Sequence, residues 1–136
     1  MSLNEENRNI IVNHRLQKAK NTLTEAKGNI EMNFWHTTAN RLYYACFYAV
    51  TALLIKYGYT TRTHNVAFGQ FGNHFVNKGI ITKEENRLYR KLFDLRQDGD
   101  YDDWVIITEE DIMPLIQPVE NFIEKIEQLI RTGNSD

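Results

Sequence analysis

The sequence has one cysteine and two prolines in 136 residues, no apolar run long enough to cross a bilayer, and no excess of basic charge. Each shortage excludes something. A single cysteine cannot close an intrachain disulfide, so a stapled secreted scaffold is ruled out. Cys46 lies in an apolar stretch, the setting of a small buried hydrophobe in a reducing cytoplasm. The longest apolar run, Leu42 to Ile55, is too short for about 30 Å of hydrocarbon. No signal peptide is visible, so a cytoplasmic protein without a membrane partner is expected. Sixteen basic residues against eighteen acidic ones give a net charge of −2. A general polyanion binder is usually basic, so DNA is not expected as a partner and any RNA contact must be local. No glycine-rich loop follows a strand, no hydrolase signature is present, and His14, His36, His64 and His74 form no pair at helical ligand spacing. Neither a metal nor a cofactor is therefore expected.

What is present is helical periodicity. The length fits one domain over 1–136, with its core at about 7–130 and a polar tail at 131–136. Val12, Leu16, Ala19, Leu23, Ala26 and Ile30 draw one apolar stripe on a long first helix, whose end Gly28 and Asn29 weaken. A second helix, from about Asn33 to Tyr57, is apolar on every face beyond Leu42. That pattern predicts a central position or a self-association face, with Ala45, Ala49 and Ala52 allowing close approach. Gly58 stands where a C-terminal cap belongs. Thr63 is a plausible N-cap for a short third helix carrying His64, Phe68, Phe71 and Phe75 and ended by Gly79. Thr82 and Glu85 form a capping-box signature for a fourth helix, with Arg96 in its last turn. An acidic connector, Asp98 to Asp103, leads to a last helix after Thr108 with the stripe Ile112, Leu115, Val119, Phe122, Ile126 and Leu129. Pro114 and Pro118 predict an irregular or kinked start and a regular helix from Pro118 onward. No strand is expected.

Two arginines stand out. Arg41 enters the second helix where it becomes apolar all round, and an unpaired guanidinium there would be costly, so it needs a partner. The acids after Arg96 are the obvious source, and the alternative is a fork for phosphate or carboxylate. Arg96 opens a segment, Leu95 to Tyr101, that gathers a guanidinium, the carboxylates Asp98 and Asp100, a glycine and a phenol. Asp98, Asp100, Asp102 and Glu109 also match four positions of a calcium loop. However, Asp103 stands where that loop needs glycine and Ile106 offers no side-chain oxygen, so a solvated acidic loop is the better reading.

Three blocks together resemble the HEPN-domain family. They are Asn-Arg-x-Tyr-Tyr-Ala-x-Phe at Asn40 to Phe47, the Thr-His and Phe-Gly-x-His-Phe-Val segment at Thr63 to Val76, and Leu-Arg-Gln-x-x-Asp-Tyr at Leu95 to Tyr101. With the flanking helices the resemblance spans about Asn7 to Leu129. It implies an all-α antiparallel bundle of four or five helices, commonly a homodimer. It also implies a bacterial or archaeal setting beside a small nucleotidyltransferase, sometimes as a toxin and antitoxin pair. Many such proteins are metal-independent ribonucleases whose motif is an arginine, four to six residues, and a histidine that helps activate the RNA 2'-hydroxyl. Here Arg96 matches the arginine, but Tyr101, Asp102 and Asp103 occupy the positions for the histidine. A phenol with a pKa near 10 is a poor proton shuttle at neutral pH. His64 or His74 could substitute only where the fold brings one beside Arg96.

The sequence therefore points to a binding module, a homodimer partnering a nucleotidyltransferase. Its expected ligand site for a nucleotide or similar anion comprises Arg41, Tyr44, His64, Arg96, Asp98, Asp100 and Tyr101. The alternative is a ribonuclease with a variant motif, for which Arg96 and Tyr101 are the catalytic candidates.

Overall fold

The structure is a computed structural model that describes residues 4–133; Met1-Ser2-Leu3 and tail residues 134–136 lie outside them. Five helices run in order: α1 (Glu5–Glu31), α2 (Trp35–Lys56), α3 (His64–Phe71) extended by a π-helical turn over Gly72–Val76, α4 (Lys83–Tyr101) and α5 (Glu109–Thr132). The architecture is the expected all-α bundle. Arg131 and Thr132, assigned above to the tail, continue α5.

The first hairpin is made by a cap. α1 runs through Gly28 and Asn29, then stops because Asn33 takes a left-handed conformation (φ 58°). The Phe34 N–H reaches back to the Asn29 carbonyl at 3.0 Å and Asn33 N–H to Ile30 at 3.0 Å, closing the two bonds of a Schellman motif. So tight a turn sends α2 back along α1. Gly58 (φ 83°) ends α2 in the same way, with Tyr59 N–H on the Leu54 carbonyl at 2.9 Å. Thr63 and Thr82 cap α3 and α4 as expected, and Thr82 with Glu85 completes its capping box.

α2 is the central helix. It packs against α1, α3, α4 and α5, and Ala39, Ala45, Ala49 and Ala52 are fully buried among them. Alanines at these contacts let several helices approach one axis, which explains why α2 has no polar face along its buried length. Around it an aromatic core forms from Tyr43, Phe68, Phe71, Tyr89 and Phe122, with Phe68 and Tyr89 stacked at 4.2 Å. Cys46 is buried here, and desolvation pushes its thiol pKa far up, consistent with a packing role rather than a nucleophile.

Two boundaries differ from the sequence reading. α4 does not end near Arg96 but continues through Tyr101, so Asp98 and Asp100 are helical and the acidic connector begins at Asp102. Arg96 is therefore an interior residue of α4, not a C-terminal cap. The extension carries two carboxylates at the negative end of the helix dipole and a glycine inside it, an unfavourable sequence for helix. Tertiary contact overrides it. The Ile107 N–H donates to His36 Nε2 at 3.2 Å, and Ile107 packs so closely on Gly99 that a β-carbon there would lie 2.6 Å from Ile107 Cδ1.

The second difference concerns α5, which is one continuous helix with Pro114 and Pro118 inside it. Both prolines are exposed, as is Glu110. The carbonyls that lose donors, those of Glu110 and Pro114, thus lie on the solvent-facing row, where water can serve them.

Candidate functional site

Arg96 organises the site. It is 8% exposed, held between rings: its Cζ lies 5.2 Å from the Tyr44 centroid, 5.4 Å from Tyr43, and 6.0 Å from both Phe93 and Tyr101. Nη2 donates to the Tyr44 hydroxyl at 2.9 Å. Nε is buried with no hydrogen-bond partner among the described residues, and the carboxylate oxygen Asp100 Oδ2 is 3.6 Å away, beyond hydrogen-bond range. A buried guanidinium satisfied by phenol and ring faces, with only a distant counter-ion, keeps much of its capacity for an anion.

That capacity opens on a cleft of about 600 Å³ lined by Thr63, His64, Asn65, Phe93, Arg96, Gln97 and Tyr101. The lining comes from the start of α3 and the second half of α4. His64 reaches it because Thr63 caps α3 through its side chain, fixing the first turn over the aromatic core. The ring lies 4.5 Å from Phe47 and 6.1 Å from both Tyr44 and Phe93, the same rings that hold Arg96. Of the two histidines considered as substitutes, the fold thus brings His64 beside Arg96. His74 stacks half-buried on Tyr59 at 3.8 Å, outside the cleft.

The polarity of His64 follows from its neighbours. Burial, and then the Arg96 charge, hold its pKa below the ordinary 6.5, so the ring is neutral at pH 7. Its Nδ1 lies 2.5 Å from the Tyr43 hydroxyl. Burial pushes the Tyr43 pKa well up, so that phenol stays protonated. Tyr89, whose ring stacks on Tyr43, offers that phenol no acceptor within hydrogen-bond distance, its hydroxyl having no such partner among the described residues. Tyr43 therefore donates to Nδ1, and the ring proton sits on Nε2. A residue lining the cleft thus offers it an N–H donor rather than a lone pair.

Behind Arg96 a second layer joins three helices. Asn40 Nδ2 donates to Asp100 Oδ2 at 3.2 Å, while Asn40 Oδ1 accepts from Arg41 Nε and Nη2 at 3.0 and 2.7 Å. Arg41 also lies 5.3 Å over the Tyr44 ring. Its carboxylate partner is Glu25 of α1 at 3.5 Å, not an acid after Arg96. That expectation is corrected: Arg41 meets Asp100 only through Asn40. Asp98 is exposed, lines no part of the cleft, and contributes only its carbonyl to the end of α4. Asp98 and Asp100 lie in a helix, so the acids read as a calcium pattern do not share a loop. Asn40 and Gln97 entered the sequence reading only as members of the Asn40 to Phe47 and Leu95 to Tyr101 blocks, and Asn65 only within the Thr63 to Val76 segment; none was assigned to the site, and their carboxamides gain meaning only from what the fold sets beside them.

A model of the HEPN domain matches residues 12–129. The chain belongs to the HEPN-domain family. It is 34% identical over 120 residues to a UPF0332 protein of Thermotoga maritima, covering 88% of this chain and 91% of that one. It is 29% identical over 116 residues to a Methanocaldococcus jannaschii protein named "Putative toxin MJ0605", covering 85% and 86%. A UPF0332 protein of Archaeoglobus fulgidus is 26% identical over 116 residues, covering 85% and 92%. Relatives of this HEPN domain thus include proteins named as toxins. Among its described residues no helix is long and apolar enough to cross a membrane.

Proposed function

We propose that this HEPN domain is a binding module. In this reading it is a homodimer that partners a nucleotidyltransferase domain in a toxin–antitoxin-like pair, and its cleft takes a nucleotide or similar anion at Arg96 and His64. The toxin-named relatives support such pairing. The observation that carries the ligand assignment is the polarity of the cleft: it is lined by the Arg96 guanidinium and by a neutral imidazole whose Nδ1 is engaged by Tyr43. Hydrogen-bond donors around one fixed positive charge suit a phosphate group. A general base needs a free lone pair, which this tautomer turns away from the cleft.

A second reading, a metal-independent ribonuclease, has one observation in its favour. His64 lines the same cleft as Arg96 and so supplies an imidazole the linear motif lacks. The two readings separate in one preparation. Titration calorimetry with AMP is expected to show binding that Arg96→Ala abolishes, while RNA incubated with the protein in EDTA stays intact. RNA cleavage in EDTA that Arg96→Ala removes would overturn the binding-module reading. Light scattering is expected to report twice the mass of the chain.

A further inference from the structure

The carboxylate of Asp100 lies near the one charged group of the cleft without bonding to it. No other lining residue, Thr63, His64, Asn65, Phe93, Gln97 or Tyr101, brings a charge to the cleft at pH 7. Asp100 Oδ2 stands 3.6 Å from Arg96 Nε, beyond hydrogen-bond distance, while Asn40 Nδ2 donates to the same oxygen at 3.2 Å. Asn40 is itself fixed by two donors from Arg41. The chain thus places an anion beside Arg96 with no hydrogen bond between them, and leaves the Arg96 Nε buried.

The arrangement is costly as a purely structural pair. An Asp in the last turn of a helix opposes the dipole, and an Arg four residues before an Asp is the weaker order for a helical pair. What the pair does achieve is a charge setting. With Asp100 in place, Arg96 and its neighbour sum to zero, and a ligand anion is held by hydrogen-bond donors more than by net charge.

We infer that Asp100, positioned by Asn40, is the charge selector of this site, matching the cleft to a singly charged phosphate group and disfavouring a doubly charged one. The inference rests on the anion-binding reading above. Coulomb repulsion from Asp100 scales with the ligand's charge, so a dianion is penalised twice as strongly, in free energy, as a monoanion at the same place.

AMP and cyclic AMP share a base and a sugar and differ in phosphate charge, which makes them the probes. At pH 8 the AMP phosphate is close to doubly charged. Calorimetry on the native protein and on Asp100→Asn reads the difference. The Asn side chain keeps an acceptor for Asn40, so the network behind Arg96 is retained. Asp100→Asn is expected to tighten cyclic AMP about threefold and AMP about tenfold, the dianion gaining roughly the square of the monoanion's factor. Equal tightening of both probes, no tightening, or weaker binding of both would overturn the selector role while Arg96-dependent binding to the native protein stands. A native protein that binds neither probe overturns the anion-binding reading and this inference with it.

Discussion

The Tyr43 hydroxyl donates to Nδ1 of His64 across 2.5 Å, and that single bond sets which face of the imidazole the cleft meets. Because burial keeps the phenol protonated and burial with Arg96 keeps the ring neutral, the proton left on His64 sits on Nε2. A donor-rich cleft follows from a core tyrosine, one helix away from the residue it controls.

Tyr43→Phe should release that control. The neutral ring loses a hydrogen bond that favours it while burial and Arg96 remain, so the His64 pKa is expected to rise but to stay below 6.5. Unfolding free energy should fall by about 1 kcal/mol for the lost bond. Proton NMR titration of His64 checks the first and chemical denaturation the second.

Stability should depend on pH in two windows. The folded chain holds His64 below 6.5, so the unfolded chain binds the extra proton there and stability falls as pH is lowered from about 6.5 toward the folded value. Glu85 is partly buried, which alone would raise its pKa, yet hydrogen bonds from Lys125 and Thr82 hold it low; Lys20 and Arg131 do the same for Glu127. Their contribution is present above 4.5 and lost as pH falls below it. Melting temperature against pH for the native chain and for His64→Gln should differ in slope only in the upper window.

Arg41→Ala should cost little, below about 1 kcal/mol. Its carboxylate partner Glu25 is 3.5 Å away and 58% exposed, so no buried charge is stranded, contrary to what the apolar setting of Arg41 suggests. Arg96→Ala removes a buried guanidinium from four rings and from Tyr44, and about 2 kcal/mol is expected. Denaturant midpoints of the two variants, measured side by side, decide the order.

Gly99 and Ile107 should couple. Alanine in a helix interior is favoured over glycine by about 1 kcal/mol, but here its β-carbon meets Ile107 Cδ1. Gly99→Ala is expected to gain nothing in the native background. In an Ile107→Val background, which lacks that methyl, it should stabilise, by less than about 1 kcal/mol because the β-carbon still lies 3.3 Å from His36 Nδ1. A double-mutant cycle by denaturation measures the difference.

Much of the bundle was legible because local rules and packing agreed. The stripe from Val12 to Ile30, the caps Thr63 and Thr82, and Gly58 at the end of α2 all serve in the structure as their residue types suggest. The Asp-Gly-Asp run misled because its helix depends on Ile107 and His36, residues far from it in the chain. Pro114 and Pro118 misled because interior proline is unfavourable, while their exposed row tolerates the lost donors. Within the site, Arg96, Asp100 and Tyr101 were readable as close neighbours along the chain, though not as members of one helix. His64 and Asn40 come from other helices, and only the packing of α2, α3 and α4 shows what they touch.

The donor character of the cleft depends most on where the His64 proton resides. Two-bond proton–nitrogen NMR of the full chain at pH 7 reads it directly, with AMP added in a second spectrum. A neutral ring protonated on Nε2, with both nitrogen signals shifting on AMP addition, is the result expected. A ring protonated on Nδ1, or a charged imidazolium unmoved by AMP, would contradict the donor cleft and turn the site toward proton-transfer chemistry.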